Sequence, residues 1–118
     1  MRHFKIRRLS GKMSISARND FLRSSLPANL PQPHRLNLSD GICSIPEDRL
    51  DSVLEAVGDF NDFEHGDDPY CKNDFGRLQV GEYHVVWWFS YFDKEWKGHQ
   101  VDGNRILHIQ LAEEFELS

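Results

Sequence analysis

Hydrophobic positions along the chain change period three times, and each change marks a predicted element. From Ser14 the pattern is helical: Ile15, Leu22 and Leu26 fall near one face, with Ala17 and Phe21 filling gaps and Ser14 or Ser16 as N-cap. This helix must end before Pro27, because the residue preceding a proline is pushed out of the α region. Pro27, Pro31 and Pro33 predict an extended connector. Leu36 and Leu38 then alternate with Asn37 and Ser39, a short strand that Asp40-Gly41 would turn back into a partner strand over Ile42–Ile45.

A second helix follows, with Ser44 as candidate cap, Pro46 in the first turn, and Glu47 and Asp48 at the positive end of the dipole. Leu50, Val53, Leu54 and Val57 form its apolar stripe and Gly58 is a stop. After an acidic loop over residues 59–74, the period shortens to two. Leu78 and Val80 lead into a hairpin turn at Gly81-Glu82. Tyr83, Val85, Trp87, Phe89 and Tyr91 then point one way, and His84, Val86, Trp88, Ser90 and Phe92 the other. Both faces are substantially apolar, as expected of a central strand covered on both sides. A last strand over Arg105–Ala112 presents Leu107, Ile109 and Leu111 to the core, with His108 and Gln110 opposite. The order predicts an α+β fold, two helices packed on an antiparallel sheet that ends in a three-stranded meander. Residues 14–118 form one domain behind a basic arm over residues 1–13, of which the first twelve could also be an extension upstream of Met13.

Composition adds boundaries. Hydrophobic residues at 39% and charged residues at 28% are an ordinary soluble balance, and aromatics at 12% can fill much of a small core. The longest apolar run, Val85–Phe89, is far short of the ~20 residues a membrane helix needs. No signal-peptide stretch follows the basic N-terminus, so a cytoplasmic protein is expected. Cys43 and Cys71 lack metal-type spacing and are expected to be reduced, partly buried thiols.

Charge changes the picture more. Residues 1–35 carry eight Lys/Arg against Asp20 alone, a balance of +7, and the remainder stands at −12. Such asymmetry suits a basic arm for nucleic acid, or an acidic face for a basic partner. The arm option would use Arg7, Arg8 and Lys12 with Arg18 and Arg23 of the first helix, but an acidic body would repel phosphates. The acidic loop raises metal chemistry, since Asp67, Asp68, Asp74 and His65 are hard-oxygen and imidazole ligands. Its spacing fits neither an EF-hand nor a zinc motif, and Asp67-Asp68-Pro69 also reads as a simple turn. Dyads of His65, His84, His99 or His108 with Asp68, Asp74 or Asp93 are geometrically open, but spacing alone cannot establish one. No nucleophile elbow, phosphate loop or dinucleotide fingerprint is present. Trp87, Trp88, Trp96, Tyr91 and Phe92 exceed what one small core easily hides, and surface aromatics favour interfaces.

Four blocks occur in order: NDFLR (Asn19–Arg23), FNDF…DDPY…NDFG (Phe60–Gly76), WWFSYFD (Trp87–Asp93) and RILHIQLAEEF (Arg105–Phe115). Together they resemble a bacterial family of domains of unknown function, whose members are small proteins often carried on plasmids and other mobile elements. The resemblance covers residues 15–116 and brings no established activity. Its pattern carries Gly-Glu-His where this chain has Cys71, Lys72 and Asn73, and Trp-Lys-Ile-Asp where it has Trp87, Trp88, Phe89 and Ser90. These departures weigh against catalysis.

The sequence therefore leads to the expectation of a macromolecule-binding protein with no catalysis and no cofactor. In the mobile-element setting the resemblance implies, it would be an anti-defence inhibitor of a basic host protein. Asp62, Glu64, Asp67, Asp68, Glu113 and Glu114 would supply the acidic surface, with Trp88 and Trp96 as apolar anchors. A second copy of the chain covering an aromatic strand face, and a small metal-dependent hydrolase built on the acidic loop, are the competing expectations.

Overall fold

The computed structural model describes residues 14–63 and 72–117, and the arm over residues 1–13 lies outside the described residues. Its elements are α1 (Ile15–Arg23), β1 (Arg35–Leu38), α2 (Asp40–Cys43), α3 (Glu47–Asp59), β2 (Phe75–Val80), β3 (Tyr83–Phe92), β4 (Asn104–Leu111) and α4 (Ala112–Leu117). The architecture is α+β, with a four-stranded mixed sheet in the order β1-β4-β3-β2. The predicted meander is present: β2, β3 and β4 pair antiparallel in sequence, with Val80 opposite Tyr83 across the hairpin and Val85 opposite Leu111. β1 extends this sheet as a parallel edge strand, Leu36 beside Leu107 and Leu38 beside Ile109.

The expected return strand over Ile42–Ile45 is replaced by the single turn of α2. Ser39 accounts for the difference, because its hydroxyl accepts from the Ile42 amide as an N-cap and so starts a helix where a hairpin turn was expected. Ser44 belongs to the end of that turn, donating its hydroxyl to the Asp40 carbonyl, and does not cap α3. Pro46 occupies the N-cap of α3 without a side-chain bond, and Glu47 and Asp48 in the first turn supply the favourable dipole charge. Gly58 does not stop α3, which continues to Asp59. Its need for glycine is steric: a Cβ there would lie 2.8 Å from the Arg23 carbonyl oxygen of α1.

One face of the sheet carries the core. Val85, Trp87, Phe89, Leu107 and Ile109 meet Leu22, Leu26, Val53, Leu54 and Val57 from the helical layer, with Leu30, Ile42 and Ile45 closing the sides. Burying each such aliphatic or aromatic side chain contributes roughly 1.5–3 kcal/mol. The helical layer covers this face alone, so the other face of the sheet is left to α4 and solvent. α4 was not anticipated. It is fixed by the Glu114 carboxylate, which accepts from the Ser39 hydroxyl at 2.6 Å and from the Gly41 and Leu111 amides at 2.9 Å each. Among the described residues no helix is long and apolar enough to cross a membrane.

Candidate functional site

The core turns polar where β3 ends and β4 begins. Tyr91 and Arg105 are register partners on the inner face, and α1 lays Asn19 against them. Asn19 Oδ1 accepts from Arg105 Nε at 2.7 Å, while its Nδ2 donates to the Tyr91 hydroxyl at 2.9 Å and to the Lys72 carbonyl at 3.0 Å. The Tyr91 hydroxyl in turn donates to Asp74 Oδ2 at 2.8 Å. Burial first, and the bond to Asp74 second, hold the tyrosine above its ordinary pKa, so it remains a donor. Arg105 is fully buried, lies 5.0 Å over the Tyr91 ring, and donates Nη1 to the Gly103 carbonyl. Its Nη2 has no hydrogen-bond partner.

A second buried arginine closes the other side of α1. Arg23 is 2% exposed, with Nη1 donating to the Val57 carbonyl at 2.7 Å and the Phe60 carbonyl at 3.0 Å, and Nη2 to Asp20 at 2.7 Å. Its guanidinium lies 4.4 Å over the Trp87 ring, which Phe60 and Phe63 approach edge-on. Asp20 also accepts from Asn73 Nδ2. This seam ties both ends of the acidic loop, at Phe60 and at Lys72–Asp74, to α1 and the sheet. It is a fastening, since its groups are turned to one another.

The outer face of the sheet is different. By register it presents Phe75, Arg77 and Gln79 from β2, His84 to Phe92 at alternate positions of β3, Asn104, Ile106, His108 and Gln110 of β4, and Arg35 and Asn37 of β1. No Asp or Glu stands among these strand positions. Across its middle His108 stacks on Trp88 at 4.9 Å and 16°, and Phe115 of α4 meets Trp88 from the other side at 5.3 Å. Ser90 and Asn37 bond the two ring nitrogens of His108, and burial lowers its pKa, so it is neutral near pH 7. Arg77 lies over Phe75 and Phe115 at the β2 edge.

At the opposite end stands Trp96, on the loop after β3. Asp93 gathers that loop: Oδ1 accepts from the amides of Glu95 and Lys97, and Oδ2 from that of Gly98. Within this clasp Trp96 adopts φ 62, a left-handed conformation that is an outlier for a bulky residue. Such strain costs of order 1–3 kcal/mol and persists only where the surroundings impose it. Its result is to lay the indole beside Phe92, at 5.5 Å, with the exposed Arg35 guanidinium stacked 3.8 Å above it. Arg35 and Trp96 line a groove of about 540 Å³ with Asn29, Leu30, Gln32, Pro33, His34 and Leu36.

The residues singled out from sequence are distributed as follows. Trp88 and Trp96 share the outer face, both partly exposed. The acids do not join them as one surface: Asp62 is exposed after α3 on the helical side, Glu113 is exposed on α4, and Glu114 is the internal fastener of α4. Glu64, His65, Asp67 and Asp68 lie outside the described residues, as do Arg7, Arg8, Lys12 and Cys71. Asp74 is engaged by Tyr91, and among the described residues no group of three or more His, Cys, Asp or Glu could hold a metal ion. Arg18 donates to the Asp102 carbonyl, and Arg23 is too buried to meet a phosphate. Cys43, expected to be partly buried, is exposed.

Sequence reasoning missed Asn19, Arg35 and Arg105. For Asn19 a signal existed: Asn19, Leu22, Arg23 and Leu26 are spaced i, i+3, i+4, i+7, so two of four inward positions are polar. Phe21, expected to fill a gap in the apolar face of the helix, is 55% exposed.

Residues 38–114 match the family described as Protein of unknown function (DUF3768), and the chain belongs to that family. No curated protein and no solved structure matches it. Each ordered block carries part of the geometry above: Asn19, Asp20 and Arg23, then Phe60 and Asp74, then Tyr91 and Asp93, then Arg105 and Glu114.

Proposed function

We propose that this member of the DUF3768 family is a macromolecule-binding domain, without catalysis, whose contact surface is the outer face of the sheet. The observation that carries this reading is the Asp93 clasp, which holds Trp96 in a strained backbone conformation and brings it against Phe92 and Arg35. A strained, partly exposed aromatic held by a dedicated hydrogen-bonded loop gains little net stability, since its contacts with Phe92 and Arg35 are offset by the backbone strain. Trp88, His108 and Arg77 continue the same face with aromatic and basic groups, the types enriched at the centres of interfaces.

Two features support binding over turnover. The polar groups of the buried seam bond chiefly to one another, Arg105 Nη2 and Arg23 Nε apart, and His108 is neutral and bonded at both nitrogens. The expected acidic surface takes no part in this reading, and the exposed acids of α3, Glu47, Asp48, Asp51, Glu55 and Asp59, lie on the helical side, away from the face. In the mobile-element setting, the partner would be a host component.

The test is a tagged pull-down from bacterial lysate, run with and without nuclease, beside W96A and W88A variants checked for folding by circular dichroism. Capture lost in the folded variants supports the sheet face. Capture undiminished in both, but lost on charge reversal at Asp51 and Glu55, would overturn the sheet-face reading and assign the contact surface to α3.

A further inference from the structure

We propose that the groove between β1, residues 29–34 and Trp96 binds a nucleotide of single-stranded nucleic acid, with the base stacked on the Arg35–Trp96 pair. This rests on the sheet-face reading and gives the ligand a chemistry. The groove's volume, about 540 Å³, falls in the roughly 300–1,000 Å³ range of small-ligand sites. Its lining divides as a nucleotide would need. Leu30, Pro33 and Leu36 are apolar, Asn29 and Gln32 are amides able to pair with a base edge, and no carboxylate lines it.

Arg35 decides between a generic anion site and a nucleotide site. Stacked 3.8 Å over Trp96, its planar guanidinium is itself a stacking surface as well as a cation. A base laid on that plane leaves its phosphate beside a fixed positive charge. Arg18 and Arg105 stand near the same end of the sheet, Arg18 bonded to the Asp102 carbonyl and Arg105 to that of Gly103. The His34 pKa is lowered by burial first, and then by the charges of Arg105 and Arg18. His34 Nδ1 accepts from the Arg105 amide at 3.1 Å, which puts the proton of the neutral ring on Nε2 as a donor.

The acidic body, −12 over residues 36–118, argued against nucleic acid, but five of its acids, Glu47, Asp48, Asp51, Glu55 and Asp59, belong to α3. The acids of α3 lie on the solvent side of the helical layer, in a molecule whose smallest extent is 29 Å. Screening acts over about 8 Å at physiological ionic strength, so the groove feels its near charges: Arg35 in its lining and Arg18 and Arg105 behind it, set against Asp93 and Glu95 of the Trp96 loop and Asp102. A single strand is required because a duplex hides the faces of its bases.

The experiment is fluorescence anisotropy of a labelled oligouridylate of about twelve nucleotides, titrated with the full chain at roughly 50 and 200 mM salt. The competitors are unlabelled single strand, a hairpin duplex and uridine monophosphate. Expected is salt-sensitive binding that the single strand competes best. W96A and R35A should each weaken it by on the order of tenfold, and R35K should also weaken it, since lysine keeps the charge but not the plane. Thermal melts establish that each variant is folded.

Several results would overturn the proposal: no binding at the lower salt, equal competition by duplex, or full competition by the mononucleotide. Binding unchanged in folded W96A and R35A, but lost in R7A/R8A/K12A, would assign it to the N-terminal arm. If oligonucleotides fail while W96A still loses a nuclease-resistant protein in the pull-down, nucleic acid is wrong and the sheet face stands. If neither measurement responds to W96A or R35A, both readings fall.

Discussion

Replacing Arg23 by methionine removes the fastening between α1, the end of α3 and Trp87 while keeping an unbranched side chain of similar length. In the folded protein the guanidinium donates to the carbonyls of Val57 and Phe60 and to Asp20, and covers the Trp87 ring. The substitution strands the Phe60 carbonyl, costing about 1–3 kcal/mol if no water reaches it, and leaves the Val57 carbonyl only its 3.3 Å bond from the Phe60 amide. Asp20 contributes less, because its side chain is 48% exposed and regains hydration when freed. Against these losses stands relief from burying a charge, the penalty that lowers the Arg23 pKa. The balance is a destabilisation of about 1–3 kcal/mol, a sizeable part of the ~5–15 kcal/mol by which a domain is stable. Urea unfolding followed by Trp fluorescence measures it, and Arg23→Lys should recover only part of the loss because a single ammonium cannot span all three acceptors. An Arg23→Met variant within about 0.5 kcal/mol of the parent would show that the seam is dispensable and refute this reasoning.

Gly76→Ala should destabilise by about 1–3 kcal/mol in the same assay, because the added Cβ would lie 2.5 Å from Trp87 Nε1 and 2.8 Å from the Phe60 ring. Trp96→Gly should leave stability within about 1 kcal/mol of the parent, the lost Arg35 stack being offset by release of the positive-φ strain; a larger loss would make Trp96 a packing residue. Glu114 has its pKa lowered from 4.5, first by the Ser39 hydroxyl and further by the Leu111 and Gly41 amides. Its contribution is therefore present above about pH 4.5 and disappears as pH falls through the lower folded value, so Glu114→Gln should flatten that part of a melting-temperature profile. His34 and His108 are held neutral below their ordinary 6.5, so stability should also decline as pH falls below that value, and His108→Gln should remove its share.

The meander and α3 were legible because their patterns are local. Alternation in Tyr83–Phe92 and the i, i+3, i+4, i+7 stripe of α3 state directly which side faces the core. β1 was legible as a strand but not in its pairing, since a parallel partner seventy positions away leaves no local trace. α2 was missed because Asp40-Gly41 suits a hairpin turn as well as a helical first turn, and the Ser39 cap settles it. The polar seam was hidden for the opposite reason: Asn19, Arg23 and Arg105 are types that composition assigns to the surface, and they are buried only because each finds the others or a carbonyl.

Of the candidate site, Trp88 and Trp96 were visible as an aromatic excess, but their neighbours were not. Arg35 was counted within a basic N-terminal third, whereas register puts it on the outer face above Trp96. The charge asymmetry was read along the chain, yet what matters to a ligand is its division between the two faces of a layer. The role of Glu114 likewise could not be guessed, because its partners Ser39 and Gly41 lie 75 and 73 residues earlier in the chain.

The central claim, that the outer face of the sheet is the working surface, is tested most directly by amide chemical-shift mapping of the labelled chain against single-stranded oligonucleotide. The account predicts shifts concentrated in Arg35–Leu38, in the Asp93–Gly98 loop and at outward positions of β3 and β4, with α3 unmoved. Shifts confined to α3, or to the arm ahead of Ser14, would contradict it.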